Sequence, residues 1–118
     1  MLLQDKVVLV TGGAQGIGKA LAARFAEEGA RLVLCDINEE ALAKAQEEFE
    51  KKNTEVLTVK ANVSNAEDVD AVVRKSLDKY GSIHILINNA GITRDNLMLG
   101  IGEDELYAVL NINVKGTL

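Results

Sequence analysis

The chain has 118 residues, enough for one domain that buries about two thirds of its unfolded surface. Its net charge of −5, with no basic stripe, argues against nucleic acid or an anionic membrane as partner. No apolar run reaches the ~18 residues of a membrane span, no signal-like segment opens the chain, and the single Cys35 excludes an internal disulfide, so a cytoplasmic setting is expected.

The first element is the apolar run Val7-Val8-Leu9-Val10, too short for a helix and rich in Val, which reads as a strand buried on both faces. Thr11-Gly12-Gly13-Ala14-Gln15-Gly16-Ile17-Gly18 follows, and a helical period then begins, with Ile17, Leu21 and Phe25 on one face and Ala20 beside them. Strand, glycine turn and helix in that order aim backbone N–H groups and the positive helix end at one point, where a pyrophosphate can sit. An ordinary strand–helix connection is the plainer reading of the turn alone. Asp36 adds to it: it ends the next strand, Arg31 to Cys35, at about the 20-residue distance of a dinucleotide fingerprint. Its carboxylate can accept from an adenosine ribose, or cap the helix that follows.

The first helix spans about Gly16 to Glu28 and stops at Gly29. Asn38 can cap the second, with Glu39 and Glu40 in its first turn and Leu42, Ala45 and Phe49 as its apolar stripe. The charged run from Glu47 to Lys52 is a solvated face. Strand three is about Glu55 to Lys60, and Ala61-Asn62-Val63 stands at its ligand-facing end. Ser64-Asn65-Ala66-Glu67 has the form of a capping box, which makes Ser64 structural rather than nucleophilic. Val69, Val72, Val73 and Leu77 mark the inner face of helix three, and Gly81 ends it. Ile83 to Ile87 is strand four; His84, near its start and without an acidic or thiol partner in sequence, is structural. Asn88-Asn89-Ala90-Gly91 follows, able to tie neighbouring loops together and reach a ligand, or to serve simply as a turn. After a loop over Thr93 to Gly100, a final helix is expected from near Glu103, with Gly102 as N-cap, Ile101 and Leu106 as a staple, and Leu106, Val109, Leu110 and Val114 inward. Asn113 shares that apolar face and so needs a hydrogen-bonding reason, which backbone contacts alone could supply.

The order β-α-β-α-β-α-β-α predicts an α/β, doubly wound parallel sheet with strand order 3-2-1-4, as one dinucleotide-binding domain over residues 1–118. Strand four is expected to present an open edge that invites self-pairing.

Thr11-Gly12-x-x-x-Gly16-x-Gly18 together with Asn88-Asn89-Ala90-Gly91 resembles the two leading signatures of the short-chain dehydrogenases/reductases, and Ile92 to Leu97 resembles the 3-oxoacyl-acyl-carrier-protein reductases among them. The resemblance covers the whole chain. It implies a Rossmann-type fold and a nicotinamide dinucleotide held by Gly12, Ala14, Gln15, Gly16, Ile17, Gly18, Asp36, Asn62, Val63, Asn89, Ala90 and Gly91. Asn62 and Val63 would contact the adenine, Asn88 would hold the sheet, and Asn113 would match the catalytic Asn of a proton relay. The family often has Asp where Asn62 stands. The substrate implied is a small carbonyl or alcohol, including one linked to acyl carrier protein, and the assembly implied is a homo-oligomer. Asp36 beside an adenosine 2′-phosphate would place like charges ~4 Å apart, repelling by about 4 kcal/mol at an effective dielectric of 20, and Gln15 offers no compensating cation. NAD is therefore expected over NADP. No metal is expected. The family's Ser and Tyr-x-x-x-Lys have no match here: four residues after Tyr80 stands His84, and after Tyr107, Asn111. The chain thus reads as the N-terminal portion of an oxidoreductase, inactive alone; the rival reading is a non-catalytic dinucleotide-binding module or self-associating half-fold.

Overall fold

A computed structural model describes residues 2–89 and 106–112. The chain runs β1 (Val7–Thr11), α1 (Gly16–Glu27), β2 (Arg31–Asp36), α2 (Glu39–Lys51), β3 (Val56–Lys60), α3 (Ala66–Tyr80), β4 (Ile85–Asn88) and β5 (Ala108–Asn111). All pairings are parallel, in the order β3-β2-β1-β4-β5. The reversal of direction at β1 and β4 is the switch point of a doubly wound sheet.

Alternation along β1 and β2 divides the core in two. Val7, Leu9, Val33 and Cys35 face Val69, Val72 and Val73 of α3. Val8, Val10, Leu32 and Leu34 face Ala22 of α1 and Leu42, Ala45 and Phe49 of α2. Every residue of β1 is buried, as its unbroken apolar run requires of a strand covered on both sides.

Three expectations are corrected. The segment Ala108–Asn111 is not helical but a fifth strand, paired with β4 from Ile85↔Ala108 to Asn88↔Asn111. Pairing gives the edge of β4 its missing hydrogen-bond partners, a stronger demand than the local helical spacing of Leu106, Val109 and Leu110. The edge of β4 is therefore not open. Second, Ser64 does not cap α3: Asn65 does, its side chain accepting from the N–H groups of Glu67 and Asp68. Third, Ile17 is 46% exposed and Ala20 is exposed too; α1 instead buries Gly18 and Ala22, because only small residues let it lie this close to the sheet. The expected loop over Thr93 to Gly100, the Ile101–Leu106 staple and Gly102 cap, and the positions of Ala90, Gly91, Asn113 and Val114 fall wholly or partly outside the described residues.

His84 is structural. Its Nδ1 accepts from the N–H of Val7 (2.8 Å), and its own N–H donates to the Val7 carbonyl (2.9 Å). Its ring lies 5.2 Å from that of Tyr107, which leads into β5. Replacing His84 by Ala leaves the N–H of buried Val7 without that acceptor; the expected loss is about 1–3 kcal/mol, read as a lower urea midpoint with an unchanged slope.

Candidate nucleotide site

The site forms at the C-terminal ends of the strands. Leaving β1, the chain turns at once: the N–H groups of Gly12 and Gly13 both donate to the Cys35 carbonyl, at 2.8 and 3.2 Å. The turn ends at Gly16, in the left-handed region (φ +57°), where an added Cβ would meet open space. Gly18 is the opposite case. A Cβ there would stand 2.1 Å from the Gly12 carbonyl oxygen, so glycine is what lets the first turn of α1 rest on the β1 turn.

The helix beginnings differ in a way that bears on function. Asn38 caps α2 and Asn65 caps α3, and each helix carries two acidic residues in its first turn. α1 follows Gln15, whose side chain makes no cap, and it has no acid in its first turn. Its positive end is left without side-chain compensation among the described residues, beside the open space over Gly16, which suits an anion.

Asp36 closes the turn from the neighbouring strand. Its Oδ2 accepts from the N–H of Ala14 (3.2 Å), and its Oδ1 from the N–H of Asn38 (3.1 Å). The carboxylate is thus pinned at both oxygens, with Asp36 only 7% exposed. It does not cap α2; Asn38 does, accepting from the N–H of Ala41 (3.0 Å). Asp36 nevertheless borders a recess of about 170 Å³ with Gly12, Ile37, Ala61, Asn62 and Val63. Each carboxylate oxygen has lone-pair capacity beyond its one backbone bond.

Ile37 was not singled out by sequence reasoning. It is 64% exposed on the rim of that recess, an apolar side chain held in water. The signal was its place, one residue past a strand-ending acid and one before a helix cap, where burial could not explain it.

On the other side of the turn, the Asn89 side chain donates from Nδ2 to the Gly12 carbonyl (3.3 Å), and its N–H donates to Thr11 Oγ1 (2.9 Å). Thr11 Oγ1 in turn donates to the Ile87 carbonyl (3.4 Å). Asn88 Nδ2 donates to Asn111 Oδ1 (3.1 Å), linking β4 to β5. The structure therefore gathers Gly12, Ala14, Gln15, Gly16, Ile17, Gly18, Asp36, Asn62, Val63 and Asn89 around the ends of β1 to β4. Gln15 and Ile17 are exposed at the mouth of α1. Larger recesses of about 400 and 350 Å³ lie at the opposite end, around Asn53, Thr54 and Glu55, away from the glycine turn.

Cys35, beneath the turn, is buried and free. Burial first, then the neighbouring Asp36 charge, pushes its pKa up to about 12. Among the described residues no group of three or more His, Cys, Asp or Glu could hold a metal, and no helix is long and apolar enough to cross a membrane.

The short chain dehydrogenase family model matches residues 6–118. The chain is 44% identical over 116 residues to the 3-oxoacyl-acyl-carrier-protein reductase of Thermotoga maritima, an alignment covering 98% of this chain and 47% of that one. It is 38% identical over 114 residues to the (S)-acetoin-forming diacetyl reductase of Staphylococcus epidermidis, covering 97% of this chain and 44% of that one. The chain thus spans about half the length of these relatives. Among solved structures, a short-chain dehydrogenase/reductase from Burkholderia phymatum in complex with NAD superposes with a TM-score of 0.74 at 37% identity, over 77% of this chain and 32% of that one. Levodione reductase does so at 0.71 and 42% identity, over 76% and 36%.

Two outcomes test the site's construction. Gly18→Ala should cost about 1–3 kcal/mol or more, because a backbone oxygen must move. Gly16→Ala should cost only the ~1–2 kcal/mol of a left-handed alanine, so urea midpoints should fall further for the first variant. In the folded chain at pH 8, well below about 12, Cys35 is a protonated thiol and should resist alkylation until denaturant exposes it.

Proposed function

Since the chain belongs to the short chain dehydrogenase family, we propose that it carries the cofactor-holding portion of an oxidoreductase that moves hydride between NAD(H) and a carbonyl or alcohol. The observation that carries this reading is the uncapped start of α1 above Gly16, flanked by the Asp36 recess on one side and Asn89 on the other. Main-chain N–H groups and the dipole of α1 suit a diphosphate there. Asp36, held in place by Ala14 and Asn38, would accept hydrogen bonds from the hydroxyls of an adenosine ribose. Gly12, Ala14, Gln15, Ile17, Gly18, Asn62, Val63, Ala90 and Gly91 complete the proposed cofactor contacts. When bound, the nicotinamide supplies or accepts the hydride.

We assign NAD in preference to NADP. A 2′-phosphate would approach a carboxylate that two backbone bonds prevent from swinging aside, and neither Gln15 nor Ile37 brings a cation to the rim. The NAD bound in the Burkholderia phymatum relative supports a nicotinamide dinucleotide. The names of the Thermotoga maritima and Staphylococcus epidermidis relatives support a ketone substrate, a diketone or a 3-oxoacyl group on a carrier protein. Asn113 would serve a proton relay. The 118 residues contain no Tyr-x-x-x-Lys, so the same reading has this polypeptide alone bind cofactor without turning it over. A cytoplasmic homo-oligomer belongs to the reading as well.

Fluorescence titration of the purified chain with NADH and NADPH tests the assignment. NADH should bind at least tenfold more tightly, with the gap narrowing in Asp36→Asn. Equal or tighter binding of NADPH would overturn the choice of cofactor. Incubated with NADH and diacetyl, the chain should oxidise no more cofactor than a protein-free control.

A further inference from the structure

The sheet ends in two strands of different character: β3 on one side and, among the described residues, β5 on the other. An end strand leaves half of its backbone N–H and C=O groups outside the ladder, and proteins guard such an edge with charge. β3 is guarded: Glu55 stands just before it and Lys60 closes it, both exposed. β5, Ala108-Val109-Leu110-Asn111, holds no charge, and its Leu110 is 45% exposed. The ladder with β4 fixes which groups of β5 face outward. The N–H of Ala108 donates to the His84 carbonyl (3.2 Å) and that of Ile112 to the Asn88 carbonyl (3.1 Å), so alternate N–H groups from Ala108 onward point at β4. The same alternation turns the N–H and C=O groups of Val109 and Asn111 away from it.

We propose that the outer edge of β5 pairs with the same edge of a second copy of the chain, the two strands antiparallel about a twofold axis at Leu110. The inference rests on the homo-oligomer within the proposed function and names its surface; the cofactor reading does not depend on it. A row of outward backbone groups calls for another extended strand, and two identical strands set antiparallel are self-complementary, each donor meeting the acceptor its symmetry mate supplies. Val109 of each copy stands opposite Asn111 of the other and exchanges both N–H···O bonds with it. Leu110 falls between them at the non-hydrogen-bonded position, where opposing Cα atoms come to ~4.5 Å and side chains share a face. The exposed leucine of one copy thereby covers that of the other. Sliding the strands by two residues leaves one outward residue of each without an opposite number in β5, so one register uses every outward group of the strand. The contact is small, which makes the dimer weak and dependent on concentration.

Light scattering of the purified chain over a range of concentrations tests the pairing. The mass should rise from 12.7 kDa toward twice that value. Leu110→Lys sets two ammonium groups against each other at the axis and should hold the mass at one chain, with the circular dichroism of the wild type. In Leu110→Cys, oxidised glutathione should link two chains covalently, because the non-hydrogen-bonded antiparallel position brings the two Cα atoms within disulfide range. Cys35 is buried and does not compete. Lys60→Cys, on the guarded edge, should stay single under the same treatment. A mass of one chain at every concentration would overturn both the pairing and the homo-oligomer reading. A dimer that persists in Leu110→Lys and leaves Leu110→Cys unlinked would overturn the pairing alone, since the copies would then meet elsewhere.

Discussion

Everything at the ligand-facing end depends on how closely α1 approaches the end of β1. The first turn of the helix rests on the Gly12 carbonyl through a residue that has no side chain, and the intervening loop is held from both flanks. Asp36 holds it from β2 through the Ala14 N–H, and Asn89 holds it from β4 through the Gly12 carbonyl. A loop braced in this way keeps its main-chain groups aimed, so less ordering entropy would be lost on binding the proposed cofactor.

Asp36 has a structural use and, in the proposed function, a selective one. One residue closes the turn, steadies the approach to α2 and borders the recess. A mobile acid could retreat from an incoming phosphate; this one would have to break two backbone bonds first. In the proposed function, discrimination against a phosphorylated ribose would draw on rigidity as much as on charge.

Much of this was legible because it is local. The apolar run of β1, the glycine spacing and the acid that ends β2 are each read from a few consecutive residues, and parallel order then follows from crossover handedness. The Leu42, Ala45 and Phe49 stripe survived intact because period and burial agree there. Ile17 did not, since α1 meets the sheet through Gly18 and Ala22, and closeness selects small residues that hydropathy does not flag. The cap of α3 moved from Ser64 to Asn65 because both can cap and only the backbone path decides. The segment Ala108–Asn111 was misread for a deeper reason. Its apolar spacing fits a helix and its length fits a strand, and the arbiter was the pairing demand of β4, more than twenty residues away in sequence.

The joint at the other end of the sheet is of a different kind. There the first amide of β1 is received by the chain's one imidazole, on a ring nitrogen that can accept only while it carries no proton. A proton on that nitrogen sets donor against donor, beside a ring that already has Lys6 5.1 Å from its centre. The same imidazole lies tilted against the Tyr107 ring at the entry to β5, where the N–H groups of Tyr107 and Ala108 donate to the His84 carbonyl. The base of the seam between β1, β4 and β5 thus hangs on an accepting ring nitrogen, while the glycine loop at the far end is built from main-chain and amide contacts and one carboxylate.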